Sequence, residues 1–557
     1  MTARSGPFDP GQALGEAVAL HRQGRLHEAE KIYARVLKSV PGHFDALNLL
    51  GSIKARQGHF GEAQRLFGAA VKADPRAPQA WSNLGQTHYA LKRAPEALEC
   101  FDKALALAPD DADILYQHAN ALLSLDRPRE ALAEFQAVLA RAPQHIEARI
   151  NSGLAQAALG SSELALAEFD AALALLPHHP IAHFNRGVVL LQLGRYADAV
   201  AANDRVLAVL RDHIGARLNR GRALSQLRRF DEAVASYDEV LARGKDHADA
   251  HFNRALALLT LGEYRRGFQD YEWRWRRTGM PPQKGRGRPL WRGEYPLHRK
   301  TVLLHAEQGL GDTIQFARYV PLVAAGGATV VLEVQPELKS LLAGLEGAAR
   351  ILARGEAPPP FDAHCPLGSL PLAMKTELAT VPAPIPYLTA DAERVRHWSA
   401  RIEALPRPRI ALAWSGNPAH ENDRSRSIPF ATLAPLFALP GSFVGIQRDI
   451  RDADAAALAG EARLTHLGGA LEDFSDTAAV LSLCDLVITV DTAPAHLSGA
   501  LGRPLWVLVP FAPDWRWTLG GETTPWYPLA RLFRQTSLND WDTVIVRVAD
   551  ALKSHPF

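Results

Sequence analysis

The chain has 557 residues, and at roughly 100–200 residues per domain that length excludes a single compact core unless the fold is repetitive. Hydrophobic residues make up 47% and charged residues 22%, with 41 Gly and 38 Pro, which excludes general disorder and collagen-like repeats. With 62 Lys+Arg against 60 Asp+Glu the formal net charge is +2, so the totals make no case for a nucleic-acid or membrane-surface protein.

Met1 to Pro10 lacks a basic start followed by an apolar run. No apolar stretch approaches the ~20 residues that span a bilayer, since the longest, Tyr319 to Val334, is broken by Gly326 and Gly327. A soluble, cytoplasmic protein is the expectation. Cys100, Cys365 and Cys484 are too far apart for a zinc or redox motif and read as reduced thiols, so no metal is expected.

The first half is periodic. Gly24, Gly58, Gly160, Gly194 and Gly262 fall on one 34-residue lattice, with Lys92, Asp126 and Arg228 on its other points. Five residues beyond every point but the last stands an alanine, from Ala29 to Ala233. Four further on stands an aromatic, at Tyr33, Phe67, Phe101, Phe135, Phe169, Tyr237 and Tyr271, replaced once by Asn203. Apolar residues at i, i+3, i+4 and i+7 on both sides of each point describe two amphipathic helices joined by a short turn. The small alanine lets the helices approach and the aromatic fills the gap.

Over about eight units, from Leu14 to Arg277, this pattern resembles the tetratricopeptide repeat (TPR). The resemblance implies an all-α superhelix with a concave groove for an extended peptide. Asn83, Asn151, Asn185, Asn219 and Asn253 recur two positions before the small residue of each first helix, with Gln117 on the same lattice and Leu49 breaking it. A side-chain amide both donates and accepts, so such a row can bind a peptide backbone or, equally, bond the neighbouring helix. The row looks like the asparagine ladder of O-linked N-acetylglucosamine transferases, which implies an acceptor-peptide groove.

The last unit departs from the pattern at Tyr271-Glu272-Trp273-Arg274-Trp275-Arg276-Arg277, which reads as a cap. Residues 278–300, and Met280 to Gly293 above all, read as a solvated Pro/Gly/Arg-rich linker, an anionic contact being the minor alternative.

From Thr301 short apolar runs alternate with helical segments. Thr301–Ala306 and Ala328–Val334 read as strands around a helix Thr313–Ala325, followed by a helix Pro336–Leu345. The rhythm restarts with helix Asp391–Ala404, strands Arg409–Trp414, Ser442–Gln447 and Leu486–Val490, helix Ala495–Ala500 and strand Leu505–Val509. The expectation is an α/β module of two Rossmann-like lobes, 301–390 and 391–535, with a C-terminal helix in 536–557 and a cleft at the strands' carboxyl ends.

Three loops carry the informative residues. Gln308 to Thr313 offers Gly309, Gly311 and an Asp312 that also suits a helix N-cap. Trp414 to Ser427 holds Asn417, Arg424 and Arg426, suited to phosphate. Asp491, Thr492, Ala493 and His496 lie where a strand opens into a helix, whose N-terminus is an anion site.

On Gly311-Asp312 and Asp491-Thr492-x-x-x-His496, followed by Gly502 and Pro504, the region from Thr301 to Arg534 resembles the heptosyltransferase-like, glycosyltransferase family 9-like enzymes of GT-B fold. With the repeats, Glu307 to Asp312 and Asp514-Trp515-Arg516-Trp517, the whole is similar to bacterial TPR-fused glycosyltransferases, some of which modify flagellins. The resemblance implies a glycosyltransferase of hexosyl, heptosyl or nonulosonate type, using a nucleotide-sugar as substrate and no cofactor. Asp312 would be the general base, Thr492, Ala493, His496 and Arg426 would hold the donor phosphates, and Asp491 would orient their loop. Arg424 and Asn417 lie in the same polar loop and join them as donor-side candidates. Ala493 stands where the family usually has Gly, and Arg426 where it often has Lys, so donor identity does not carry over. His305, Glu307, His420 and Asp423 are the alternative bases. The expected acceptor is a protein Ser or Thr in the repeat groove; the alternatives are a glycolipid or polysaccharide acceptor, or a non-catalytic scaffold with a degenerate sugar-nucleotide module.

Overall fold

The computed structural model describes residues 8–277, 287–419 and 422–557. The chain divides into two compact units, Met1–Asn219 and Arg220–Phe557.

The first unit is built of helix pairs such as Pro78–Ala90 with Ala94–Leu107 and Pro180–Gln192 with Tyr196–Val209. The lattice residues are the joints. Gly24, Gly58, Lys92, Asp126, Gly160 and Gly194 all adopt positive φ, between 57° and 81°. Each joint closes by a bond from the next amide to a carbonyl five residues back, as in Arg25 to Leu20 and Arg93 to His88, both 2.9 Å. This is the Schellman ending of a helix, which requires the left-handed residue. The aromatics fill the gap left by a glycine on the facing helix: a Cβ on Gly51, Gly85 or Gly153 would stand 2.7–2.8 Å from the rings of Phe67, Phe101 or Phe169. Where Asn203 replaces the aromatic, a Cβ on Gly187 would stand 2.8 Å from its amide nitrogen instead.

The second unit opens on the last repeat helices, Phe230–Arg243, Ala248–Thr260 and Tyr264–Tyr271, and a tight 3-10 turn, Glu272–Arg276, replaces the rest of the final helix. The expected solvated linker is corrected in its second part: Leu290 bridges to His364, the Trp291 amide donates to the His364 carbonyl at 2.8 Å, and Trp291 is buried. That stretch is an edge segment of the first sheet because Leu290 and Trp291 have apolar surface to bury. Residues 278–286, including the rest of the Arg-rich run, lie outside the described residues.

Two parallel sheets follow. Strands β1 (Thr301–His305), β2 (Thr329–Val334), β3 (Ala348–Ala353) and β4 (Ala363–Pro366) form the first, in the order β3-β2-β1-β4. Strands β5 (Arg409–Ala413), β6 (Ser442–Gly445), β7 (Leu464–His466), β8 (Leu486–Val490), β9 (Leu505–Val509) and β10 (Ala530–Arg534) form the second, in the order β10-β9-β8-β5-β6-β7. β5, β8 and β9 are buried throughout, as parallel strands covered on both faces must be. The C-terminal helix Trp541–Lys553 packs Trp541, Val544 and Val548 into the second lobe's core. The strand order reverses between β1 and β4 in one sheet and between β5 and β8 in the other. Open α/β sheets leave a crevice outside the carboxyl ends of strands at such points. The loops leaving β1, β5 and β8 are the three that carry the candidate residues.

Two helix starts differ from expectation. The helix after β1 is Leu310–Phe316 and passes through a 3-10 turn, Ala317–Tyr319, into Val320–Ala325, where Pro321 withholds a backbone donor. The helix after β8 begins at Ala493 rather than Ala495, which makes Thr492 its N-cap position.

Candidate functional site at the interlobe cleft

The first lobe presents Asp312 as the third residue of the Leu310–Phe316 helix, not as its N-cap. Its Oδ2 accepts from the Gly309 amide at 3.0 Å, tying the loop to the helix it opens. Its Oδ1 accepts from the Arg516 guanidinium, which comes from the second lobe, at 2.5 Å. Arg516 also grips both oxygens of Asp514 at 3.0 and 3.1 Å.

Gly311 is a point of close approach between the lobes. A Cβ there would stand 2.7 Å from His496 Cδ2 and 3.3 Å from Ala493 Cα. The glycine is needed for close approach rather than for an unusual dihedral. His496 is buried, stacks on Trp517, and its Nδ1 pairs with the Tyr527 hydroxyl at 2.9 Å. Burial, with the charges of Arg516, Arg318 and Arg426, holds its pKa well below the usual imidazole range. It acts as a neutral ring wedged between the lobes, and any contact with phosphate would be a hydrogen bond without charge.

On the second lobe, Arg426 lies over Gly416, where a Cβ would come within 2.8 Å of its guanidinium, and donates to the Asp491 carbonyl at 3.1 Å. Its Nε is buried without a partner, as is the Ser415 hydroxyl on the same loop. Thr492 spends its hydroxyl on the Val490 carbonyl and leaves the amides at the Ala493 helix start without a side-chain cap. The Asp491 carboxyl is pushed up to about 6 by burial and by the charge of Asp514, against the pull of Trp517, Arg426 and Arg516.

Asp312, Arg426, Asp491, Thr492, Ala493 and His496 therefore gather where the two lobes meet. Asn417 and Arg424 do not join them in this way: both are exposed, and Asn417 accepts from the Ala419 amide in its own turn at 2.9 Å. Of the alternative bases, His305 is buried against His364 at 3.1 Å. Asp423 is buried, accepts from Ser427 at 2.7 Å and pairs with Arg451, so it braces the Trp414–Ser427 loop. His420 lies outside the described residues. Glu307 is different: it accepts from Arg274 and from the Gly368 amide, each at 3.1 Å, and burial lifts its carboxyl to about 7, with Arg274 opposing and Asp312 adding to the rise.

Sequence reasoning missed Arg516, Asp514, Tyr527 and Arg274 as site residues. The sign of Arg516, Asp514 and Arg274 was the density of Trp and Arg in Asp514–Trp517 and Tyr271–Arg277, and Tyr527 carried none.

The repeat asparagines divide in two. Asn83 donates to Asn48 at 2.9 Å, and Asn151 to Asn120 at 2.7 Å and to the Tyr116 hydroxyl at 3.3 Å. These amides serve repeat stacking. Asn185, Asn219 and Asn253 are half-buried and make no side-chain hydrogen bond among the described residues.

The tetratricopeptide repeat model matches residues 14–58, 49–112, 116–180, 158–212 and 218–272. The glycosyltransferase family 9 (heptosyltransferase) model matches residues 443–534, which run from β6 to β10 and include Asp491 to His496 and Arg516. The chain joins tetratricopeptide repeats to a family 9 glycosyltransferase region. Protein FlbA of Caulobacter vibrioides is 29% identical over 288 residues, 47% of this chain and 48% of FlbA, so the match spans about half of that relative's length. The repeats are similar to a thermophilic TPR protein in Thermus thermophilus (30% identity, 33% of this chain and all of that one, TM-score 0.28). They are also similar to PilW, a type IV pilus biogenesis factor (24% identity, 37% and 96% covered, TM-score 0.36). Asp312 falls outside the family 9 match, so that match says nothing of its part. Among the described residues no helix is long and apolar enough to cross a membrane.

Proposed function

We propose that the chain is a glycosyltransferase that moves a sugar from a nucleotide-sugar to a Ser or Thr hydroxyl of a polypeptide, flagellin for example, captured by the repeats. The observation that carries this reading is the meeting of Asp312, from one lobe, with the Arg426 and Asp491–His496 turn of the other where the lobes come into contact. The donor phosphate would lie against Arg426 and the open amides at Ala493, where charge released with the nucleotide meets fixed donors. The acceptor oxygen would attack the anomeric carbon from the opposite face while Asp312 takes its proton, the anomeric C–O bond breaking with its electron pair on the phosphate. Both Asp312 oxygens are already engaged, but a carboxylate has about four lone-pair sites, which leaves room for a hydroxyl. Three repeat asparagines with open amides support a polypeptide acceptor.

A thermal-shift screen against UDP-, GDP-, ADP- and CMP-sugars tests the donor half, because a true donor stabilises the fold according to its occupancy. Asp312→Asn should abolish transfer and leave that shift intact. No shift with any nucleotide would favour a scaffold, and normal turnover by Asp312→Asn would remove the base assignment.

A further inference from the structure

The loop that carries Asp312 is held from a direction that a two-lobed transferase by itself does not possess. The 3-10 turn Glu272–Arg276, the end of the repeat array, pushes Arg274 into the first lobe until its side chain is 4% exposed. One guanidinium nitrogen donates to Glu272 at 2.7 Å and to the Tyr271 carbonyl at 3.2 Å. The other reaches Ser369 at 2.7 Å and Glu307 at 3.1 Å, and Ser369 returns a bond to Glu272 at 2.6 Å. Rings of Tyr271 and Trp275 lie 4.9 and 4.8 Å from the guanidinium carbon. Beside it the Tyr271 hydroxyl and the Gln308 amide are paired at 2.6 and 3.0 Å, and the Gln308 carbonyl accepts from Gln335 at 2.8 Å.

Glu307 and Gln308 are thus both gripped by repeat residues, and they immediately precede the Gly309 amide that Asp312 caps. A loop bearing two glycines has little stiffness of its own. The grip supplies it, and Gly368 fits the arrangement closely: a Cβ there would stand 2.5 Å from the Glu307 carboxylate.

We propose that Arg274 is a positioning residue of the transfer site, acting through Glu307 to hold the Glu307–Asp312 loop, so that the terminal repeat is a structural part of the site. This rests on the transferase reading for its meaning but not for its test. The same repeats also reach the second lobe, where Arg228 donates to the Leu519 carbonyl and Tyr264 accepts from the Trp526 indole at 2.9 Å. The repeat end therefore touches both lobes.

The test is hydrogen exchange on the full chain. In Arg274→Met, amides of 306–313 and 366–370 should exchange about tenfold faster or more while β8 and β9 keep their protection, as expected of a locally freed segment. Arg274→Lys keeps the charge and loses the fork, so it should fall between, and it carries the test if the Met variant does not fold. Arg265→Ala, which removes only the exposed pair with Glu377, is the control and should change neither segment. Unchanged protection of 306–313, or an even loss across the whole chain, would overturn the proposal. Once a donor is known, Arg274→Lys should lower kcat and leave donor KM unchanged, and an unaltered kcat overturns it as well. Exchange needs no turnover, so absence of any transferase activity would sink the functional reading and leave this result standing or falling separately.

Discussion

Asp312 and Arg516 meet at 2.5 Å although 204 residues separate them, one from the first α/β lobe and the other from the second. Arg516 is nearly buried and also serves Asp514 and the Gln315 side chain, so its charge is shared among groups on both sides of the cleft. The pair does two things. It fixes the carboxylate's direction, and it joins the lobes at the place where chemistry would occur.

Arg516→Met should consequently be among the most destabilising single changes in the second unit. It leaves Asp312 and Asp514 facing each other with no cation between them. Breaking a buried pair costs about 3–5 kcal/mol, and the lower end applies because both carboxylates keep some solvent access. Urea unfolding of the full chain checks this, and a midpoint within error of wild type would mean that the pair does not hold the lobes. Asp312→Asn, by contrast, leaves Arg516 its Asp514 partner and should cost much less.

The left-handed joints give a paired prediction. Lys92 and Arg228 occupy lattice points where most repeats have glycine, at φ 59° and 61°. The left-handed region costs a side-chain-bearing residue about 1–2 kcal/mol. Lys92 is exposed, so Lys92→Gly should stabilise the first unit by about 1 kcal/mol after glycine's own chain-entropy loss is deducted. Arg228 instead donates to the Leu519 carbonyl at 2.6 Å and lies over Phe511. Arg228→Gly should yield no such gain and should speed amide exchange in 517–521. A gain of equal size at both positions would show that Arg228's side chain contributes nothing there.

The repeat half was legible because its period is a local property repeated many times: each left-handed joint, alanine and aromatic reports the same packing. The strands were legible for a related reason, since parallel strands covered on both faces must be apolar throughout. The helix starts were read late by two or three residues, because Gly309, Leu310 and Thr492 to Pro494 read as loop in a linear pattern. Asp312, Arg426 and His496 were accessible because they follow strand ends, where loops receive ligands. Arg516, Arg274 and Tyr527 were not, since their meaning lies in contacts made over 31 to 204 residues, which no local pattern encodes. Asn417 misled the reading because a polar residue beside a glycine suits a ligand loop and a self-capped turn equally well.

Asn203 is a second place where the repeat departs from its own rule. It is fully buried, its Nδ2 donates to the Ala199 carbonyl one turn back at 2.7 Å, and its Oδ1 has no partner. Other repeats put an aromatic ring there against the facing glycine. Asn203→Phe removes an unsatisfied buried acceptor, worth about 1–3 kcal/mol, and restores the packing that Gly187 still accommodates. The expected outcome is a higher urea midpoint and stronger exchange protection in 180–209. The converse change, Gly153→Ala, drives a Cβ to 2.7 Å from Phe169 and should destabilise by about 1–3 kcal/mol as overpacking. If Asn203→Phe destabilises, the amide is doing something that the fold alone does not require.

The repeats should also respond to pH through one buried histidine. His118 is buried between Glu134, 2.6 Å from its Nδ1, and Asp102, 3.1 Å from its Nε2. Burial disfavours its charge, but the Glu134 hydrogen bond and charge, with Asp102, outweigh burial and raise its pKa. A histidine with a raised folded-state pKa contributes stability that is complete below its unfolded value of about 6.5 and is lost as pH climbs through the folded value. Stability of the first unit should therefore fall on the alkaline side through His118. In His118→Gln that decline should vanish, which urea midpoints taken across the pH range would read directly. A variant that keeps the alkaline decline would assign it to another group.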